Sequence, residues 1–200
     1  MANLTKQNLI ELPTPSLRGH RIALVAPERE YWEQIRAWES DPEEMHLWTH
    51  RQSLPSREQF AESFASRLQS GYFDAYCVVL DGAEAPRGFV YTYQCQNDMA
   101  YLTAYADRSA RGSGLIISAL LRFVHWRFSI TSPITRLRAD TFSYNDASEA
   151  NLMKTGFEQV GEIKRHRRYL GVDHDLRVWE LSRNDFYERH LRMLRRELAR

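Results

Sequence analysis

The sequence predicts one α/β domain of the α+β type, with a mixed, mostly antiparallel sheet flanked by helices. Three observations carry that expectation. The β-prone runs "FDAYCVVLDG", "RGFVYTYQCQND" and "MAYLTAYAD" follow one another across turn residues, which reads as a meander. Two more runs, "FEQVGEIKRHRRYL" and "DLRVWELS", form a late strand pair. Helical periodicities lie before, between and after these runs, without the strict alternation of a doubly wound sheet.

In chain order, "RIALVAP" is a short strand. Tyr31, Ile35 and Trp38 then recur at helical spacing until Asp41-Pro42 breaks the pattern. Ser56 caps a second helix, with Glu58 close behind and Phe60, Phe64 and Leu68 on one face; Gly71 ends it. The meander follows, then a helix from about Gly114, the strand "ITRLRADTF", and a short helix opened by Asn145 and closed by Gly156. After the late strand pair, "NDFYERHLRMLRRELAR" makes a charged helix with Tyr187, Leu191, Leu194 and Leu198 in an apolar stripe. That stripe packs on its own domain or on a second copy, so the chain is expected as a monomer or a homodimer.

The chain has 200 residues, is 43% hydrophobic and carries a net charge of +1. This length suits one domain with a real core. The charge gives no global field to recruit nucleic acid or an acidic membrane, and neither is expected as a partner. Two cysteines, Cys77 and Cys95, both in strand-like runs, are too few for a secreted disulfide framework. The first residues lack an apolar secretion segment, and no apolar run reaches membrane-spanning length. The expected setting is the cytoplasm.

Chemistry concentrates in "RSARGSGLIISALLRFVHWRF", Arg108 to Phe128. A strand ends before Arg111 and a helix starts after Gly114. First-turn amides have no partner inside a helix, and with the macrodipole they attract anions. Glycine admits a phosphate close to the backbone, and Arg108 and Arg111 add positive charge. The pattern suits a pyrophosphate but is neither G-x-x-x-x-G-K-[ST] nor G-x-G-x-x-G. A plain turn with glycines at positive φ explains the same residues.

Other constellations carry less. His46 and His50 are spaced as a zinc face would be, but no third ligand accompanies them, and no metal is expected. "KRHRRYL" reads as a solvated or cleft-lining face rather than an RNA site. No G-x-S-x-G elbow marks a hydrolase.

The segment Arg111-Gly112-Ser113-Gly114-Leu115-Ile116 resembles the acyl-CoA signature Gln/Arg-x-x-Gly-x-Gly/Ala of the GCN5-related N-acetyltransferases (GNAT), with Ile116 standing where the signature has a small residue. "NDASEANLMKTGFEQVG" is similar to that family's next segment, with Asn145, Ser148, Gly156, Phe157 and Gly161 in order. Both ends of the chain, from about Leu17 to Phe186, look like the subgroup of ribosomal-protein N-terminal acetyltransferases. The resemblance implies an N-terminal extension over 1–16, a GNAT domain over 17–183 and a C-terminal helix over 184–200. It implies a sheet splayed between "YLTAYAD" and "ITRLRAD", with acetyl-CoA as co-substrate in the wedge. Tyr105 and Ala106 would offer backbone groups to the pantetheine arm. Arg111, Gly112, Ser113 and Gly114 would hold the pyrophosphate, and Asn145 would reach the arm or simply cap its helix. The implied reaction is direct acyl transfer to a primary amine, on a small molecule or a protein N-terminus. Ser148 either donates a proton to the thiolate, with Tyr144 in reserve, or only completes the cap begun by Asn145. The alternative is a module that binds or senses acyl-CoA without turnover.

Overall fold

The computed structural model describes residues 22–48, 55–80, 83–129 and 132–198. The first strand, β1 (Ile22–Val25), leads into α1 (Trp32–Glu39), which buries Ile35 and Trp38. Asp41-Pro42 ends α1 as expected, but the chain turns at once into a short helix, α2 (Met45–Trp48). The Asp41 carbonyl accepts from the amides of Glu44 and Met45, and its side chain accepts from Glu43. α3 (Arg57–Gln69) opens on a capping box, closed by Gln59 rather than by Glu58, because the third residue after the cap reaches back to its amide.

The meander is β2 (Asp74–Leu80), β3 (Gly88–Gln96) and β4 (Met99–Ala106), all antiparallel neighbours. Then come α4 (Leu115–Arg127), β5 (Arg136–Phe142), α5 (Asp146–Thr155), β6 (Glu158–Tyr169), β7 (Val172–Ser182) and α6 (Arg183–Leu198). One seven-stranded sheet results, in the order β1-β2-β3-β4-β5-β7-β6. It is mixed, because among the described residues only β4 and β5 run parallel. Gly88 is required where it stands: a Cβ there would lie 2.7 Å from the Tyr105 carbonyl oxygen.

Apolar clusters cover both faces of the sheet. α4, α5 and α6 pack on one face through Phe123, Leu152 and Phe186. α1 and α3 pack on the other through Ile35, Trp38, Phe60 and Phe64 against Cys77 and Phe89. Phe186 is fully buried and His190 meets the Thr155 carbonyl, so the first turns of α6 belong to the main core. The side chains of Leu191, Leu194 and Leu198 lie outside the described residues. Among the described residues, no helix is long and apolar enough to cross a membrane.

Candidate active site

β4 and β5 pair only through Met99–Arg136, Ala100–Leu137 and Tyr101–Arg138. Beyond Tyr101 each strand keeps its outer neighbour, β3 for β4 and β7 for β5, and the two separate into a wedge. The closed end is fastened by Asp98, whose carboxylate takes Thr135 Oγ1 at 2.7 Å and Arg136 Nη2 at 3.1 Å.

Hydrogen bonding sets the phase of the open edge. The Asp107 amide donates to the Arg87 carbonyl at 3.0 Å, so the odd-numbered residues of β4 face β3. Ala104 and Ala106 therefore direct their backbone groups into the gap. Tyr105, expected to do so with Ala106, instead turns its backbone to β3. Its ring packs against Trp38 on the α1 side, with centroids 5.1 Å apart. The Ala106 carbonyl already accepts from Arg111 Nε at 3.2 Å.

The loop after β4 makes a 3₁₀ turn and then bends at two glycines in left-handed conformation, Gly112 at φ 72° and Gly114 at φ 81°. A Cβ on either would meet nothing within 4 Å, so open space faces both. Gly114 is the N-cap of α4, and the first-turn amides of Ile116 and Ile117 have no acceptor inside the helix. Ser113 is spent internally: its hydroxyl donates to Ala110 at 2.5 Å and accepts from the Leu115 amide, while its own amide turns to Ala110. The loop amides left without an acceptor among the described residues are thus those of Gly112, Gly114, Ile116 and Ile117, whereas that of Ser113 is taken.

The two basic residues of the loop are held by an acid. Glu44, just before α2, is almost fully buried and accepts from Arg108 Nε and Arg111 Nη2, each at 2.6 Å. Burial works against its ionisation, but the bonds from Arg111 and Arg108 outweigh that and hold its carboxyl below the usual range. Arg108 also reaches Asp41 and Glu43, at 3.0 and 2.8 Å.

Across the wedge, Asn145 caps α5: its Oδ1 accepts from the Ser148 amide at 3.2 Å, and its Nδ2 donates to the Leu47 carbonyl at 3.4 Å. Both ends of its amide are therefore occupied. The Ser148 hydroxyl has no hydrogen-bond partner among the described residues. Tyr144 donates its hydroxyl to the His46 carbonyl at 2.5 Å, and Arg167 donates to the same oxygen at 2.8 Å. Burial raises the Tyr144 phenol, and its proton is committed to α2 rather than aimed into the wedge. His46 stacks flat on Tyr169 at 4.7 Å, which gives it an aromatic packing role; His50 lies outside the described residues. Among the described residues no cluster of three or more His, Cys, Asp or Glu is arranged to hold a metal.

The segment from Asp41 to Leu47 thus spans the mouth of the wedge. It holds the loop after β4 through Glu44, and the far side through the His46 and Leu47 carbonyls. Sequence reasoning missed this strap, because its contacts join residues 64 or more apart in the chain.

The model of the acetyltransferase (GNAT) domain family matches residues 21–158. No curated protein matches the chain in sequence. Solved structures share the fold. A spermidine N-acetyltransferase from Vibrio cholerae, in complex with CoA and spermine, is 14% identical with a TM-score of 0.75, over 82% of this chain and 97% of that one. RimL, a ribosomal α-N-protein acetyltransferase in complex with CoA, is 18% identical with a TM-score of 0.69, over 80% and 93%. A GNAT-family acetyltransferase from Bacillus anthracis is 14% identical with a TM-score of 0.67, over 82% and 95%.

Proposed function

The chain belongs to the GNAT acetyltransferase family, and from that premise we propose that it transfers an acetyl group from acetyl-CoA to a primary amine held in the β4–β5 wedge. The observation that carries this reading is the open edge of Ala104 and Ala106 leading straight into a loop whose two glycines face open space. An extended pantetheine arm can add to that edge as a strand would. A pyrophosphate can sit on the Gly112, Gly114 and Ile116 amides with the helix dipole behind it. The solved relatives that hold CoA support the same ligand here.

In this mechanism the thioester lies at the throat of the wedge. A backbone amide of β4 faces the developing oxyanion. The neutral amine attacks, the C–N bond forms, and the C–S bond breaks with its electrons on sulfur. Ser148 hydrogen-bonds the departing thiolate. The acceptor is a small amine or a protein N-terminus, the kinds of substrate named for the spermidine and ribosomal enzymes. Residues 17–183 form the catalytic domain.

The test is thiol release from acetyl-CoA across a panel of alkylamines and peptides with free N-termini. Amine-dependent release supports the enzyme. CoA binding with no release from any amine would favour the sensing module.

A further inference from the structure

One carboxylate in the wedge has no assigned task. Asp140 stands on β5, two residues past the last β4–β5 pair, Tyr101–Arg138. Side chains two apart on a strand share a face, so Asp140 lies on the same face as Arg138, at the point where the strands part. Its side chain is open to solvent, and among the described residues it accepts no hydrogen bond and forms no ion pair. Other carboxylates of the domain are matched: Glu180 holds Arg138 at 2.9 Å, Asp175 holds Lys164 at 3.0 Å, and Glu44 holds Arg108 and Arg111.

The titratable groups that interact with Asp140 come from three strands. Arg138 is on its own strand and His166 is on β6; both favour its ionised form. Tyr93 on β3 is pushed up to about 12, first by burial and then by the Asp140 charge, and it hydrogen-bonds Thr103 on β4. Surrounding protein raises the Asp140 carboxyl above the ordinary aspartate range in spite of Arg138 and His166. Asp140 is thus reachable by an entering molecule at the point where the strands part, and the protein around it favours its protonated form.

We propose that Asp140 receives the acceptor, binding a protonated aliphatic primary amine at the throat of the wedge and taking the proton that must leave before nitrogen attacks. The proposal rests on the acetyltransferase reading and deepens it by naming the acceptor class and the base. The ammonium gives one proton to the carboxylate. The freed lone pair forms the C–N bond, and the C–S bond breaks onto sulfur. The second proton leaves nitrogen for the thiolate, by way of solvent or the Ser148 hydroxyl, and Asp140 returns its proton to water. Atoms and charge balance with no other reactant.

The experiment compares the parent with Asp140→Asn and Asp140→Glu, using acetyl-CoA with n-butylamine and with a peptide bearing a free α-amine. Asp140→Asn should lose about a hundredfold or more in kcat at neutral pH. The loss should shrink as pH rises towards the amine's own pKa, heat protection by CoA should be unchanged, and Asp140→Glu should recover part of the rate. Turnover within about twofold of the parent, with the same pH profile, would overturn the role. Carbon-13 NMR of the Asp140 carboxyl in the CoA-loaded protein gives a readout independent of turnover. Added n-butylamine should lower its titration midpoint, and an unmoved midpoint counts against the proposal. A parent that releases no thiol with any amine, but shows that NMR shift, would remove the enzymatic reading and leave the amine site standing.

Discussion

Glu44 and Arg111 meet at 2.6 Å, a nearly buried carboxylate on a half-exposed guanidinium. Through this pair the strap from Asp41 to Leu47 grips the same loop that would hold a pyrophosphate. The pair also takes up part of the loop's positive charge, so the backbone amides, rather than Arg111, should provide most of the attraction for an anion.

Glu44→Gln is expected to destabilise the chain by about 1–2 kcal/mol. That is less than the 3–5 of a fully buried pair, because the arginines remain half in water. The pH dependence follows from the depressed carboxyl. Its contribution is complete above the unfolded glutamate value of about 4.3 and is lost as pH falls through the lower folded value. Urea titrations over pH should therefore show the parent and Glu44→Gln differing at neutral pH and converging in acid. Equal stability at pH 7 would remove the strap's energetic role.

Gly114→Ala separates folding from binding. With φ 81° and open space where the Cβ would go, the cost to stability is backbone strain alone, about 1 kcal/mol. The same methyl would stand where a phosphate must approach, so CoA affinity should fall by more than tenfold. Thermal melts with and without CoA measure both quantities. Undiminished CoA protection in Gly114→Ala would contradict the loop assignment.

Ser148→Ala should slow the chemical step by roughly ten- to a hundredfold, or about 1.4–2.7 kcal/mol, with CoA affinity unchanged. The cap of α5 is made by Asn145 Oδ1 and the Ser148 amide, both kept in the variant, so fold stability should hold. Single-turnover rates with parallel CoA titrations decide this. An unchanged rate would point to solvent as the proton source, since Tyr144 is bound to His46.

Local signals made much of this legible in the sequence. The meander, the Asn145 cap, the Gly156 stop and the positive-φ glycines are written within a few residues of where they act. Other features depend on distant partners. Glu44 looks like any acid in "SDPEEM" until Arg108 and Arg111 close over it. Asp140 is a strand residue with nothing to distinguish it until β4 and β5 separate beside it. Which of Tyr105 and Ala106 faces the gap is a matter of ladder phase. A shift of one residue reverses the answer, and composition does not fix it.

In the proposed complex, acyl-CoA lies along the splayed edge of β4 and on the glycine loop. Hydrogen–deuterium exchange with and without CoA, resolved by residue, tests it most directly. Slowed exchange is expected at Ala104, Ala106, Gly112, Gly114 and Ile116, with the amide of Tyr105 already slow in the free protein because it faces β3. Protection confined to other segments, or CoA binding that leaves these amides exchanging as before, would contradict it.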